Sequence, residues 1–210
     1  DNVVWQADSQ NHTGIIIAQH PRSNVLNRPD RYGKIKPVVA NIDTLVLVFA
    51  PNPISATLLL DKYLIAAELA GIKIELLLNK TDLCVDDTYH QQLAEYNRLG
   101  YTVYQYGLNT DPNTLHQAFS GKVISMVGQS GVGKSTIINT LVPDAMQKTQ
   151  IVSENSQLGQ HTTTSSRYIP LPEGGAIIDS PGIREFGLWH MNVEQVQQGF
   201  VEMRSYYGAC

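Results

Sequence analysis

The chain has 210 residues, 42% of them hydrophobic, enough for one buried core and a smaller accompanying module. Its formal net charge of −4 excludes a surface that coats nucleic acid indiscriminately and leaves room only for a local basic patch. No apolar run approaches the roughly 18 residues that span a bilayer, the start DNVVWQADSQNH has no charged-then-apolar leader, and two cysteines make no disulfide framework, so a cytoplasmic, reducing location is expected.

Residues 1–38 read as short β segments, NVVWQ and TGIIIAQ, followed by the Pro-, Arg- and Lys-rich HPRSNVLNRPDRYGKIKP, which connects a first module to the rest. From Asn41 apolar runs alternate with amphipathic stretches, the pattern of βα units around a parallel sheet. TLVLVFA, IELLLN, TVYQY, VISMV and AIID are five expected strands, and SRYIPL is a sixth at an edge. SATLLLDKYLIAAELAG is a helix capped by Ser55 and stopped by Gly71; DDTYHQQLAEYNRLG, DPNTLHQAF and STIINTLVP are three more. Cys84 reads as a small buried hydrophobe. NVEQVQQGFVEMRSYYG reads as a helix leading away from the sheet domain. The start at Asp1 and the end at Cys210 suggest a piece of a longer protein.

Gly128, Gln129, Ser130, Gly131, Val132, Gly133, Lys134, Ser135 and Thr136 fall between an expected strand and an expected helix and fit GxxxxGK[ST]. Glycines let backbone N–H groups turn inward around phosphate oxygens, and the helix start adds its positive dipole end. Lys134 should reach the β and γ phosphates, and Ser135 should ligate Mg²⁺. Asp179 ends the run GGAII as a Walker B carboxylate would, and the Gly182 backbone would sense the γ-phosphate.

Asn79, Lys80, Thr81 and Asp82 follow a strand at its C-terminal end, where open α/β sheets bind ligands. The Asp82 carboxylate can accept from guanine N1–H and N2–H₂, a donor pair adenine lacks. Lys80 can lay its stem along the base, and Asn79 can tie this segment to the phosphate loop. GTP or GDP is therefore the expected ligand. The base segment precedes the phosphate loop, which precedes DSPG, whereas a Ras-like chain runs in the opposite sense.

NKTDL, GKVISMVGQSGVGKSTIIN, LGQHTTTSSR and IIDSPGIREFGLWH together resemble the circularly permuted GTPases, specifically the ribosome small-subunit-dependent GTPase A family. The resemblance implies an α/β fold: a partial OB-fold over 1–38, a circularly permuted Ras-like P-loop GTPase domain over 39–192, and at 193–210 a helix leading into a C-terminal zinc-binding domain. Cys210 stands where the family's first Zn²⁺ ligand lies. It further implies a monomeric GTP hydrolase acting late in maturation of the 30S subunit, bound to 16S rRNA and to neither DNA nor membrane. The basic residues Arg22, Arg28, Arg31, Lys34 and Lys36, with Tyr32, are candidates for rRNA phosphates and a stacked base. The permuted order would put the γ-phosphate-sensing segment directly upstream of the C-terminal helix.

Residues 148–167 are long, polar and without period, as suits a loop ordered by γ-phosphate and Mg²⁺. One hydroxyl among Thr162, Thr163 and Thr164 should complete the metal's coordination; we take Thr163. A Ras-like enzyme orients its attacking water with a Gln after the DxPG glycine, but here Ile183 stands there. His190 and His161 are the available imidazoles, and the resemblance favours His190. The usual Ser-Ala contact to guanine O6 should follow TVYQY, where this chain has Gly107 and Leu108; a backbone N–H of either could supply it.

Overall fold

In the computed structural model, residues 1–8, 13–30, 32–84, 87–143, 145, 166–180, 188 and 191–206 are described. The chain begins with two antiparallel hairpins, β1 (Val3–Asp8) with β2 (Thr13–Gln19) and β3 (Val25–Pro29) with β4 (Ile35–Ala40). Then come β5 (Thr44–Phe49), α1 (Thr57–Leu69), β6 (Lys73–Asn79), α2 (Thr88–Arg98), β7 (Thr102–Tyr106), α3 (Asn113–Phe119), β8 (Val123–Val127), α4 (Lys134–Leu141), β9 (Arg167–Pro170), β10 (Ala176–Asp179) and α5 (Val193–Gly199). The six expected strands form one sheet in the order β7-β6-β5-β8-β10-β9. All neighbours are parallel except β9, which runs antiparallel to β10 at the edge.

The central strand shows why the sheet is covered on both faces. Every residue of β5 is buried, and successive side chains of a strand point to opposite faces. Leu45, Leu47 and Phe49 pack with Leu60, Tyr63 and Leu64 of α1 and with Leu93 and Tyr96 of α2. Val46 and Val48 pack on the other side with Leu115 and Phe119 of α3 and with Ile137, Ile138 and Leu141 of α4. A run of β-branched and aliphatic residues with no polar alternation is what such a two-sided strand requires. Glu75 of β6 is fully buried, held by Lys73 Nζ at 2.7 Å and Lys122 Nζ at 3.1 Å.

Three expectations change. Ser55 does not cap α1: Ala56 occupies the N-cap with no side-chain hydrogen bond, and Ser55 Oγ is buried without a hydrogen-bond partner among the described residues. The basic segment is no linker, for residues 25–40 fold as the β3–β4 hairpin, whose Leu26 and Val39 enter the core. The tail is not one helix leading away. An Asn192–Gln195 capping box starts α5, Phe200 is extended, and a 3₁₀ helix, Val201–Tyr206, follows. Gly199 lies so close to α1 that a Cβ there would strike Ile65, and Arg204 reaches Glu68 at 2.8 Å, so the described tail packs back on α1.

Cys84, expected to be buried, is only partly so and packs against the core. No helix among the described residues is long and apolar enough to cross a membrane.

Candidate nucleotide-binding site

The parallel strands β5, β6, β7, β8 and β10 end at one edge of the sheet, so the segments after them gather there. The segment after β8 is the glycine-rich loop. Gly128 has φ +136, and a Cβ on it would overlap the Val48 carbonyl of β5; Gly133 has φ +98, and a Cβ on it would overlap the Asn79 amide. Both positions therefore require glycine for backbone conformation and for space. Val132 is fully buried between them and anchors the loop, while Gln129, Ser130 and Gly131 line its outer side. Ser135 and Thr136 lie exposed in the first turn of α4.

Lys134 Nζ donates to the carbonyls of Gly128 and Gln129, both at 2.6 Å, which holds the ammonium across the loop mouth. Lys134 shares a small recess with Ser135, Asp179 and Ser180. A hydroxyl and a carboxylate there are hard oxygen donors, the kind of donor set that suits Mg²⁺.

The base segment is joined to this loop by side chains. Asn79, 5% exposed, donates through Nδ2 to the Val132 carbonyl at 2.8 Å. Lys80 adopts a left-handed backbone conformation, φ 59, and its Nζ bridges the carbonyls of Gly131 and Asn52, each at 2.8 Å. Thr81 and Asp82 open a short 3₁₀ helix, Thr81–Leu83, with Asp82 exposed. The loop after β7 meets it: the Leu108 N–H donates to Asp82 Oδ1 at 3.1 Å. The two expected sites thus lie side by side on one edge.

Several participants were not singled out from sequence. Residues 51–54 after β5 wall the loop, with Pro53 packed beside Gly131 and the Asn52 carbonyl holding Lys80. Their signal was a Pro- and Asn-rich turn at the end of a central strand, the position from which ligand-edge loops arise. Tyr63 of α1 is fully buried and has a backbone hydrogen bond with Gly128. Burial pushes its phenol up to about 12 and outweighs that hydrogen bond, so it stays neutral beneath the loop at ordinary pH. Ser180, 7% exposed, accepts from Ser166 Oγ at 2.9 Å and donates to the Val38 carbonyl of β4 at 3.3 Å. His161, Thr162, Thr163, Thr164, Gly182, Ile183, His190, Cys210 and Arg31 lie outside the described residues.

Comparison with known proteins gives a consistent picture. The profile of the family described as RsgA GTPase matches residues 19–189. Among curated proteins, the chain is 46% identical over 216 residues to the small ribosomal subunit biogenesis GTPase RsgA of Alcanivorax borkumensis, covering 100% of this chain and 61% of that protein. It is 44% identical to the protein of the same name from Photorhabdus laumondii, covering 63% of it. The chain thus spans about three fifths of the length of these relatives. Among solved structures it is similar to YjeQ from Thermotoga maritima, with TM-score 0.74 and 26% identity over 97% of this chain and 67% of that one. It is also similar to YloQ, a circularly permuted GTPase, with TM-score 0.72 and 27% identity over 99% and 65%.

Proposed function

Since the chain belongs to the RsgA GTPase family, we propose that the complete protein hydrolyses GTP to GDP and phosphate as a late maturation factor of the 30S ribosomal subunit, binding with GTP and leaving after hydrolysis. The observation that carries this reading is the 2.8 Å bond from Asn79 to Val132, which fastens the purine-reading segment to the phosphate loop. One ligand long enough to run from Asp82 to Lys134 would satisfy both ends, and a guanine nucleotide has that form.

In this reading Lys134 turns from its loop carbonyls to the β and γ phosphates, and the N–H groups of the loop cradle their oxygens. Ser135, Asp179 and Thr163 would hold Mg²⁺, with Thr162 and Thr164 as the alternative threonines. When bound, Mg²⁺ supplies neutralisation of the charge that builds on the phosphate oxygens. Gly182 senses the γ-phosphate, and His190, in preference to His161, positions the attacking water. Arg28, Lys34 and Tyr32 of the second hairpin, together with Arg22, Arg31 and Lys36, would contact 16S rRNA. Of these, Arg22 and Lys36 also pair with Asp1 and Asp30, at 2.8 and 2.9 Å.

The same reading takes 1–38 as the partial OB-fold module, 39–192 as the GTPase domain and 193–210 as the lead into a domain that binds Zn²⁺ through Cys210. It describes a cytoplasmic monomer.

Phosphate release from GTP by the complete protein, with and without purified 30S subunits, tests it. Unassisted turnover on the order of 10⁻⁴ to 10⁻² s⁻¹ is expected. The subunit should raise it tenfold or more, about 1.4 kcal/mol off the barrier. His190→Ala should keep GTP affinity and lose most of the stimulated turnover. GDP binding with the same negligible release in both arms would instead make the nucleotide a structural or signalling ligand.

A further inference from the structure

The loop after β7 departs from the Ser-Ala pattern, and its geometry gives Gly107 a specific task. The Gly107 N–H does not face the site: it donates to Thr110 Oγ1 at 3.0 Å, and the Thr110 N–H returns to the Gly107 carbonyl at 3.0 Å. This small closed turn presents the next N–H, that of Leu108, to Asp82 Oδ1 at 3.1 Å. The turn also presses directly on the base segment. A Cβ at Gly107 would overlap Thr81 Oγ1 and lie 2.9 Å from Asp82 Oδ1 and 3.1 Å from the Thr81 backbone nitrogen. Room would have to be made by turning the Thr81 hydroxyl, displacing the Asp82 carboxylate and shifting the Thr81 backbone by a few tenths of an ångström.

We infer that Gly107, kept in place by Thr110, is the positioning residue that sets guanine specificity by seating the Asp82 carboxylate against the Leu108 N–H. The inference rests on the guanine-nucleotide reading of the site and deepens it. An exposed aspartate is otherwise free to rotate. With Oδ1 held by a backbone donor the carboxylate's rotation is restricted, and Oδ2 with the remaining lone pair of Oδ1 is left to serve as a pair of acceptors. Such a pair is matched by a base with two N–H donors on one edge, a 2-amino-6-oxopurine. Hypoxanthine has the N1–H and lacks the 2-amino group, so it reports on the second hydrogen bond alone. A hydrogen bond to a carboxylate is worth about 1.5–3 kcal/mol, equivalent to roughly 10- to 150-fold in affinity.

The test is equilibrium binding of GDP and of IDP to the complete protein and its variants. The unaltered protein should prefer GDP by tenfold or more. Gly107→Ala should bring the two affinities within about threefold, chiefly by weakening GDP. Thr110→Ala, which removes the acceptor without adding bulk, should move the ratio the same way by a smaller factor, and Thr110→Ser should restore it. Should Gly107→Ala fail to fold, the Thr110 pair decides alone. An unchanged GDP/IDP ratio in Thr110→Ala, or in a folded Gly107→Ala, would overturn the inference while leaving guanine binding intact. Failure of the unaltered protein to bind GDP would overturn the guanine reading itself.

Discussion

The two N-terminal hairpins are built alike and differ in what they do with their apolar residues. In β1–β2 every residue except Asp8 is exposed, including Trp5 at 61% and Ile16 at 65%. In β3–β4 Leu26 and Val39 are 2% and 5% exposed and belong to the same core cluster as the central strand. Asn24 cements the second hairpin by donating to the Ile42 carbonyl at 2.7 Å and accepting from the Ile42 N–H at 3.2 Å. Richness in Ile and Val makes a strand; it does not decide whether the strand has a partner to pack on. The second hairpin therefore packs into the core beneath the nucleotide site, and residue 38 lies within β4.

The sharpest way to break this comparison is to truncate one aliphatic residue in each hairpin. Leu26→Ala removes a side chain at full burial and should destabilise the 210-residue chain by about 2–5 kcal/mol. Ile16→Ala, at an exposed position, should change stability by less than about 0.5 kcal/mol. Equilibrium urea unfolding of both variants measures the two numbers; equal losses would mean that the hairpins are anchored alike.

A smaller effect is expected at the polar link between β4 and the nucleotide edge. Ser180 follows Asp179 directly, and its hydroxyl stands between Ser166 and the Val38 carbonyl. Ser180→Ala removes both hydrogen bonds and leaves Val38 without that donor, at a cost of about 1–2 kcal/mol. Hydrogen exchange should rise across residues 25–40 and stay constant across residues 3–8 and 13–19. Faster exchange in both hairpins would show that Ser180 supports the fold generally and does not tether β4 in particular.

How much of this was legible in the sequence follows from the range of the interactions. The six strands and their covering helices were readable because apolar runs such as TLVLVF cannot be satisfied except by burial on both faces. The glycine-rich loop and NKTD were readable because their chemistry needs fixed residue types at fixed spacing. The second hairpin was hidden, since Val25-Leu26 and Val38-Val39 are short apolar pairs in or beside a Pro-, Arg- and Lys-rich stretch and only the sheet beneath them gives them a destination. Ser180, Tyr63 and the contact of Gly107 with Asp82 were hidden for a related reason, although Gly107 itself stood out as a possible backbone donor to guanine O6. Each acts on a group far along the chain, Val38, Gly128 and Asp82 respectively, and no local pattern announces such a pair. The Ser55 cap failed because a Ser two residues before a helix has the right composition and the wrong register. The tail was read as continuous because its helical composition persists through Phe200, where close packing of Gly199 on α1 redirects the chain.

The mildest expected effect concerns the turn of the second hairpin. The Asp30 carboxylate accepts from Lys36 Nζ at 2.9 Å, from the Tyr32 N–H at 2.9 Å and from the Lys34 N–H at 3.0 Å. The hydrogen bond from Lys36, followed by that from Tyr32, holds its pKa below the ordinary value of 3.8. A depressed carboxylate favours the folded turn while ionised. Its contribution is therefore complete above pH 3.8 and fades as the pH falls through the lower, folded-state value. Carbon-detected titration of the Asp30 carboxyl should give a midpoint under 3.8, and the amide shifts of Tyr32 and Lys34 should move with the same midpoint. Asp30→Asn keeps an acceptor for both amides and abolishes the ion pair, so it should remove this inflection and leave the shifts of Leu26 and Val39 unchanged at pH 7. A midpoint at or above 3.8 would mean that the turn is closed by its backbone alone. The distinction between the hairpins would then rest wholly on the two side chains that reach the core.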